Sequence, residues 1–143
     1  MPRRTIAIAT ALSLLALGSP LITANANPLA DNLFNSGVDK YYQGDYQGAI
    51  TDYDKAIEID PQFEDAYYYR ASAKTKLGDH QGAIADWTKV IEFIPKSALS
   101  GLSYRNRGVD KAWIEDHEGA CVDWKEAASL GDEDAAGWVK EFC

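Results

Sequence analysis

The chain is poor in the residues that metal and redox chemistry use: two Cys, two His and one Met in 143 residues. Cys121, Cys143, His80 and His117 lie too far apart in sequence to form a compact zinc motif. Basic residues are also scarce, 14 Lys plus Arg against 22 Asp plus Glu, for a formal charge of −8. Such a chain lacks the clustered cations that phosphate backbones require, which argues against a nucleic-acid partner. There is no phosphate loop ending in GK[ST] and no G-x-S-x-G elbow. The many acids fall on regular polar faces and mark no acid–base pair. The expectation is a non-enzyme with no metal and no cofactor. At 46% apolar residues, the composition is that of a folded protein.

The first 26 residues read as an address. Met1-Pro2-Arg3-Arg4 is basic, Ile6 to Leu17 is apolar, and Ala24-Asn25-Ala26 supplies a small-residue site. That order describes a secretory signal peptide cut after Ala26. An uncleaved anchor is the alternative, but about 12 apolar residues fall short of the roughly 20 that span a bilayer. Cleavage leaves 117 residues with 12 bases against 22 acids, a charge of −10. The expected location is periplasmic or extracellular, with no stable membrane insertion once the signal is removed.

An internal repeat organises the rest. Gly44-Asp45-Tyr46-Gln47-Gly48-Ala49-Ile50 aligns with Gly78-Asp79-His80-Gln81-Gly82-Ala83-Ile84 at an offset of 34, and Pro61 aligns with Pro95. Across 44–61 and 78–95, 11 of 18 positions are identical. A third copy carries Asp116-His117-Glu118-Gly119-Ala120-Cys121 at an offset of 37, with the three extra residues expected in Lys96–Ser100. Each copy reads as two helices. Leu33, Gly37 and Tyr41 share one face, Gly44 breaks the helix, and Asp45 caps the next. Ala49, Tyr53, Ala56 and Ile57 form the second stripe, and Pro61 ends it. Neither stripe can be buried alone, so the units must stack.

The period and these ordered small, aromatic and Pro positions resemble the tetratricopeptide repeat. The first copy supplies Leu33, Gly37, Ala49, Tyr53, Ala56 and Pro61; the second Tyr67, Ala71, Ala83, Trp87, Val90 and Pro95; the third Tyr104, Gly108, Ala120, Trp124 and Ala127. The resemblance implies an all-α, right-handed superhelical solenoid. A linker is expected at 27–29, repeats at 30–63, 64–100 and 101–131, and a capping helix at 132–143. One departure recurs: Lys40, Lys74 and Lys111 stand at the first-helix aromatic position, while each second helix carries an Asp, at Asp52, Asp86 and Asp123. These sets either face each other or form two solvated faces.

Cys121 and Cys143 come to the same level if the last two helices are antiparallel at 1.5 Å per residue. In an oxidising space they are expected to pair, closing a loop worth about 3 kcal/mol on the chain-entropy model. Two free thiols are the alternative.

The resemblance also implies a concave surface, lined by the first helices, that holds an extended peptide or a partner helix. Carried over by position, it comprises Phe34, Val38, Tyr41 and Tyr42, then Tyr68, Tyr69, Ser72 and Lys76, then Arg105, Asn106, Val109 and Trp113. Phe34 and Val38 occupy positions where relatives that clamp a C-terminal carboxylate place Lys and Asn, so that clamp is not expected. Basic character is expected only in the third unit. The implied partner is a segment of an envelope protein, held by a monomer or weak oligomer. A self-assembling structural protein, or a small-ligand or enzymatic use of the aromatic groove, are the rival readings.

Overall fold

The computed structural model describes residues 27–143. The expected signal peptide and its expected cleavage site lie outside the described residues. Seven helices follow in order: α1 Pro28–Tyr42, α2 Tyr46–Ile59, α3 Glu64–Lys76, α4 His80–Phe93, α5 Ala98–Trp113, α6 His117–Ser129 and α7 Glu133–Phe142. No strand occurs among the described residues. Successive helices pack on one another along the array. Among the described residues no helix is long and apolar enough to cross a membrane.

The ends of the helices follow from local chemistry. Asp45, Asp79 and Asp116 each accept from a backbone N–H, that of Gly48, Gly82 and Gly119, at 2.9 Å. This satisfies one of the free donors at each helix start. Residues 27–29 are not a linker. The Asn27 side chain accepts from Leu29 N–H at 3.1 Å and Pro28 opens the helix, so the segment is a cap and first turn. The extra residues of the third copy fall partly inside α5. It begins at Ala98, capped by Ser97, and runs 16 residues against 13 in α3.

The turn before each second helix needs a left-handed residue. Gly44 and Gly78 supply it at φ 82° and 79°, whereas the third turn uses Glu115 at φ 66°. A side chain there costs about 1–2 kcal/mol. Glu115→Gly should therefore raise the unfolding free energy by about 1 kcal/mol, read from a urea melt. An unchanged or lowered midpoint would show that the turn is not strained.

The core is alanine with one large ring per unit. Ala49, Ala56, Ala71, Ala83, Ala120 and Ala127 are fully buried, around Tyr53, Trp87 and Trp124. Each such ring hides roughly 150–250 Å², worth roughly 4–6 kcal/mol before entropy is counted. The rings fit because the facing helix is small. A Cβ at Gly37 would come 2.5 Å from Tyr53, and one at Gly108 would come 2.5 Å from Trp124 Nε1.

The recurring Lys and Asp face each other. Lys40–Asp52, Lys74–Asp86 and Lys111–Asp123 pair at 2.6, 2.8 and 2.9 Å. Two arginines complete the pattern. Arg70 grips Asp86 through Nε and Nη2 at 2.9 and 2.6 Å and reaches back to Asp54 of the preceding unit at 2.6 Å. Arg107 grips Asp123 at 2.8 and 2.7 Å and reaches back to Thr88, at the position equivalent to Asp54, at 2.9 Å. In the first unit Ser36 stands at the equivalent position, donating to Asp52 at 2.6 Å. Burial pushes the Asp52 carboxyl up, but the Lys40 and Ser36 hydrogen bonds and the Lys40 charge outweigh it and hold it low. Burial opposes the charge on Arg70 and Arg107, yet their Asp partners raise both.

Helix α7 packs on α6. Asp132 caps it by accepting from Ala135 N–H at 2.8 Å, and Trp138 packs edge-on against Trp124 at 5.4 Å. Cys121 and Cys143 are joined, with an S–S distance of 2.03 Å and Cα atoms 5.7 Å apart.

Candidate functional site

The first helices of the units, α1, α3 and α5, share one side of the array. Between them lies a groove cavity of about 190 Å³. Tyr41, Ser72, Lys76, Asn106 and Val109 line it, five of the residues expected there. Tyr41 and Tyr68 both stand near Tyr42. Burial raises the Tyr41 phenol, with Tyr46, Tyr42 and Tyr68 adding to it. Burial also raises the Tyr68 phenol, against the Asn106 hydrogen bond and the Arg105 charge. Both phenols are therefore neutral donors at any physiological pH.

The other expected residues divide. Tyr42 is 74% exposed and sits edge-on to Tyr41 at 5.6 Å, on the groove lip. Tyr68 packs against Trp87 at 4.9 Å with its hydroxyl toward Asn106. Val38 is half-buried on α1 and does not reach the cavity. Phe34 and Tyr69 are drawn inward. Phe34 meets Phe63, Tyr69 and Tyr53 at 5.0, 5.5 and 5.9 Å. These rings form one aromatic cluster between α1, α2 and α3, because Phe63 from the connecting turn offers Phe34 an apolar partner that the groove does not. Trp113 lies outside the groove cavity, stacked on His80 at 5.4 Å.

Charge in the groove also differs from expectation. Arg105 is engaged by Asp132 and Asp134 at the start of α7, at 3.2 and 3.1 Å. The basic character expected of the third unit is thereby neutralised. Lys76 is the cavity's cation, and it makes no ion pair among the described residues.

Thr75, Trp87 and Asp110 also line the cavity, although the sequence reading places none of them in the groove. Asp110 is fully buried, and its carboxylate is saturated. Thr75 Oγ1 donates at 2.9 Å, His80 Nδ1 lies at 2.7 Å, and Trp87 Nε1 donates at 2.8 Å. The groove floor is therefore a fixed polar node that ties the second unit to the third. Asp39 holds the same position in α1 and is exposed. Among the described residues no group of three or more His, Cys, Asp or Glu could hold a metal ion.

Two family models match the chain: a TPR repeat model over residues 37–78 and a tetratricopeptide repeat model over residues 65–97. No curated protein matches. Solved structures do. The Arabidopsis OM64 TPR domain superposes with a TM-score of 0.73 at 22% identity, covering 80% of this chain and 94% of that one. The N-terminal domain of stress-induced protein-1 from C. elegans superposes at 0.74 and 23% identity, covering 79% and 93%. The second TPR domain of human RPAP3, solved in complex with the HSP70 peptide SGPTIEEVD, superposes at 0.72 and 20% identity, covering 80% and 95%. At these identities the likeness is one of fold.

Proposed function

Because the chain belongs to the tetratricopeptide-repeat family, we propose that it is a non-enzymatic interaction module that holds an extended segment of a partner protein along α1, α3 and α5. The observation that carries this is the preformed groove itself. Phenol, hydroxyl and amide groups from three successive first helices surround one unpaired cation, Lys76, on a floor fixed by Asp110. Such a surface offers hydrogen bonds to a peptide backbone and one charge to an acidic side chain, with little ordering left to do on binding. The fold neighbour from human RPAP3 was solved with the peptide SGPTIEEVD, which carries three acids and supports the sign of this charge preference. The signal-like N-terminus supports an exported setting, and hence an envelope protein as partner.

The test begins with a captured partner segment made as a synthetic peptide. Lys76→Glu and Asn106→Ala should each weaken its binding at least tenfold by isothermal titration, with helical content unchanged. Both residues stand outside the core, so folding is not at risk. Wild-type affinity in both variants would reject the groove.

A further inference from the structure

A second cavity, of about 530 Å³, opens between the end of α5, the start of α6 and the end of α7. Its volume falls within the range of about 300–1,000 Å³ typical of small-molecule sites. Trp113, Trp124, Trp138 and Phe142 wall it, with Val109 and Ala112 behind. Trp113 is 69% exposed and stacked on His80 by one face, at an interplanar angle of 5°, which leaves its other face open. Phe142, also 62% exposed, is fixed beside the Cys121–Cys143 bridge.

An apolar end face alone is what the last unit of an array would leave behind. Two features set this one apart. The first is charge. Glu115 is on the wall, no Lys or Arg is, and Glu115 makes no ion pair or side-chain hydrogen bond among the described residues. His117 is the only other titratable lining group. The C-terminal residues of α5 and α7, Trp113 and Phe142, border the same cavity, and the opposing amino end of α6 is capped by Asp116. Helix carbonyl ends and carboxylates both favour a cation. The second is the backbone of Glu115. The two equivalent turns use Gly44 and Gly78, while here a carboxylate is kept in the left-handed region. A strained residue on a cavity wall points to use rather than to packing.

We infer that this cavity is a receptor for an alkylated ammonium group, held against the indole and phenyl rings with Glu115 as counter-ion. Ring faces attract cations through their quadrupole, most strongly for Trp, and an alkylated ammonium sheds its water at least cost. The site is separate from the α1–α3–α5 groove and does not depend on it.

The test is isothermal titration of the oxidised protein with choline and with 3,3-dimethyl-1-butanol, its neutral carbon isostere, at matched ionic strength. Choline should bind saturably and at least tenfold tighter than the isostere. Glu115→Gln should weaken choline at least fivefold and Trp113→Ala at least tenfold. Glu115→Gly should weaken choline as Glu115→Gln does while keeping or raising thermal stability, so that lost binding is not lost folding. The groove variants Lys76→Glu and Asn106→Ala should leave choline affinity unchanged. A short peptide bearing trimethyl-lysine distinguishes the sources: tighter binding than choline assigns the ammonium to a partner's side chain, weaker binding to a free small molecule. Equal affinity for choline and its isostere, no saturation by choline or the peptide, or an unchanged affinity in Glu115→Gln would overturn the assignment.

Discussion

Replacing Asp86 with alanine should lower the unfolding free energy by about 3–5 kcal/mol, one of the two largest single-residue losses expected in this protein. Arg70 and Lys74 both spend their charge on this carboxylate, at 2.6 and 2.8 Å, and the Asp86 side chain is only 5% exposed. Truncation leaves two cations, each less than one-fifth exposed, facing an empty slot with no water shell to replace the partner. Arg70 also carries the link back to Asp54, so its release loosens the joint between units as well as the unit itself. The first unit supplies the control. Lys40 is 37% exposed and only Ser36 assists it, so Asp52→Ala should cost less, about 1–2 kcal/mol. Urea melts followed by circular dichroism would measure both. Equal losses at Asp52 and Asp86, or a loss below 1 kcal/mol at Asp86 (the scale of a surface pair), would contradict the buried clamp.

Trp87→Ala should cost a similar amount, about 3–5 kcal/mol. The ring is 1% exposed, lies edge-on to Tyr68 at 4.9 Å, and packs with Ala71 and Ala83. Its indole N–H also donates to the buried Asp110 at 2.8 Å. Alanine therefore opens a void in the middle unit and strips a donor from a carboxylate in the next. Because each unit of a repeat array is stabilised by its neighbours, a fault in the second unit weakens both of its interfaces. Trp87→Phe separates the two contributions. It keeps a buried six-membered ring but loses the N–H with the pyrrole part of the indole, so it should cost about 1–3 kcal/mol, less than Trp87→Ala. If Trp87→Phe matched wild type, the Asp110 node would not contribute to stability.

The parts legible in the sequence were those set by short-range spacing. The 34-residue offset and the Asp caps connect residues within one unit; the Lys and Asp sets recur 12 positions apart in each copy, and the structure decides that they pair rather than form two solvated faces. The Arg clamp was written in the same repeat but not singled out, because the first copy has Ser36 where the others have Arg70 and Arg107. The Asp110 node was not legible. Its partners Thr75, His80 and Trp87 lie 35, 30 and 23 residues away, across a joint whose geometry only the stacked array defines. Phe34 and Tyr69 were assigned to the groove by position, yet the ring of Phe63, in a connecting turn, gives them an apolar cluster to join. Arg105 was expected to give the third unit of the groove basic character, but its partners Asp132 and Asp134 belong to α7 and its cap, outside the repeat pattern.

The aromatic cavity at the end of the array follows the same logic. Trp138 and Phe142 belong to the segment expected from sequence as a capping helix. In the structure Trp138 packs on Trp124 while Phe142 stays 62% exposed. The cap covers the last unit and at the same time builds a wall. Glu115 became visible as an exception only when its turn was set beside those of Gly44 and Gly78.

The central claim, that partners are held on the first-helix side, is tested most directly by photo-crosslinking in intact cells. A benzophenone amino acid is placed at Ser72, on the groove wall of α3, or at Ala85, exposed on the second helix α4. The prediction is a discrete crosslinked species from Ser72, mapped by mass spectrometry to one segment of one partner, and none from Ala85. Crosslinks from Ala85 in place of Ser72, or the same unselective products from both positions, would contradict it.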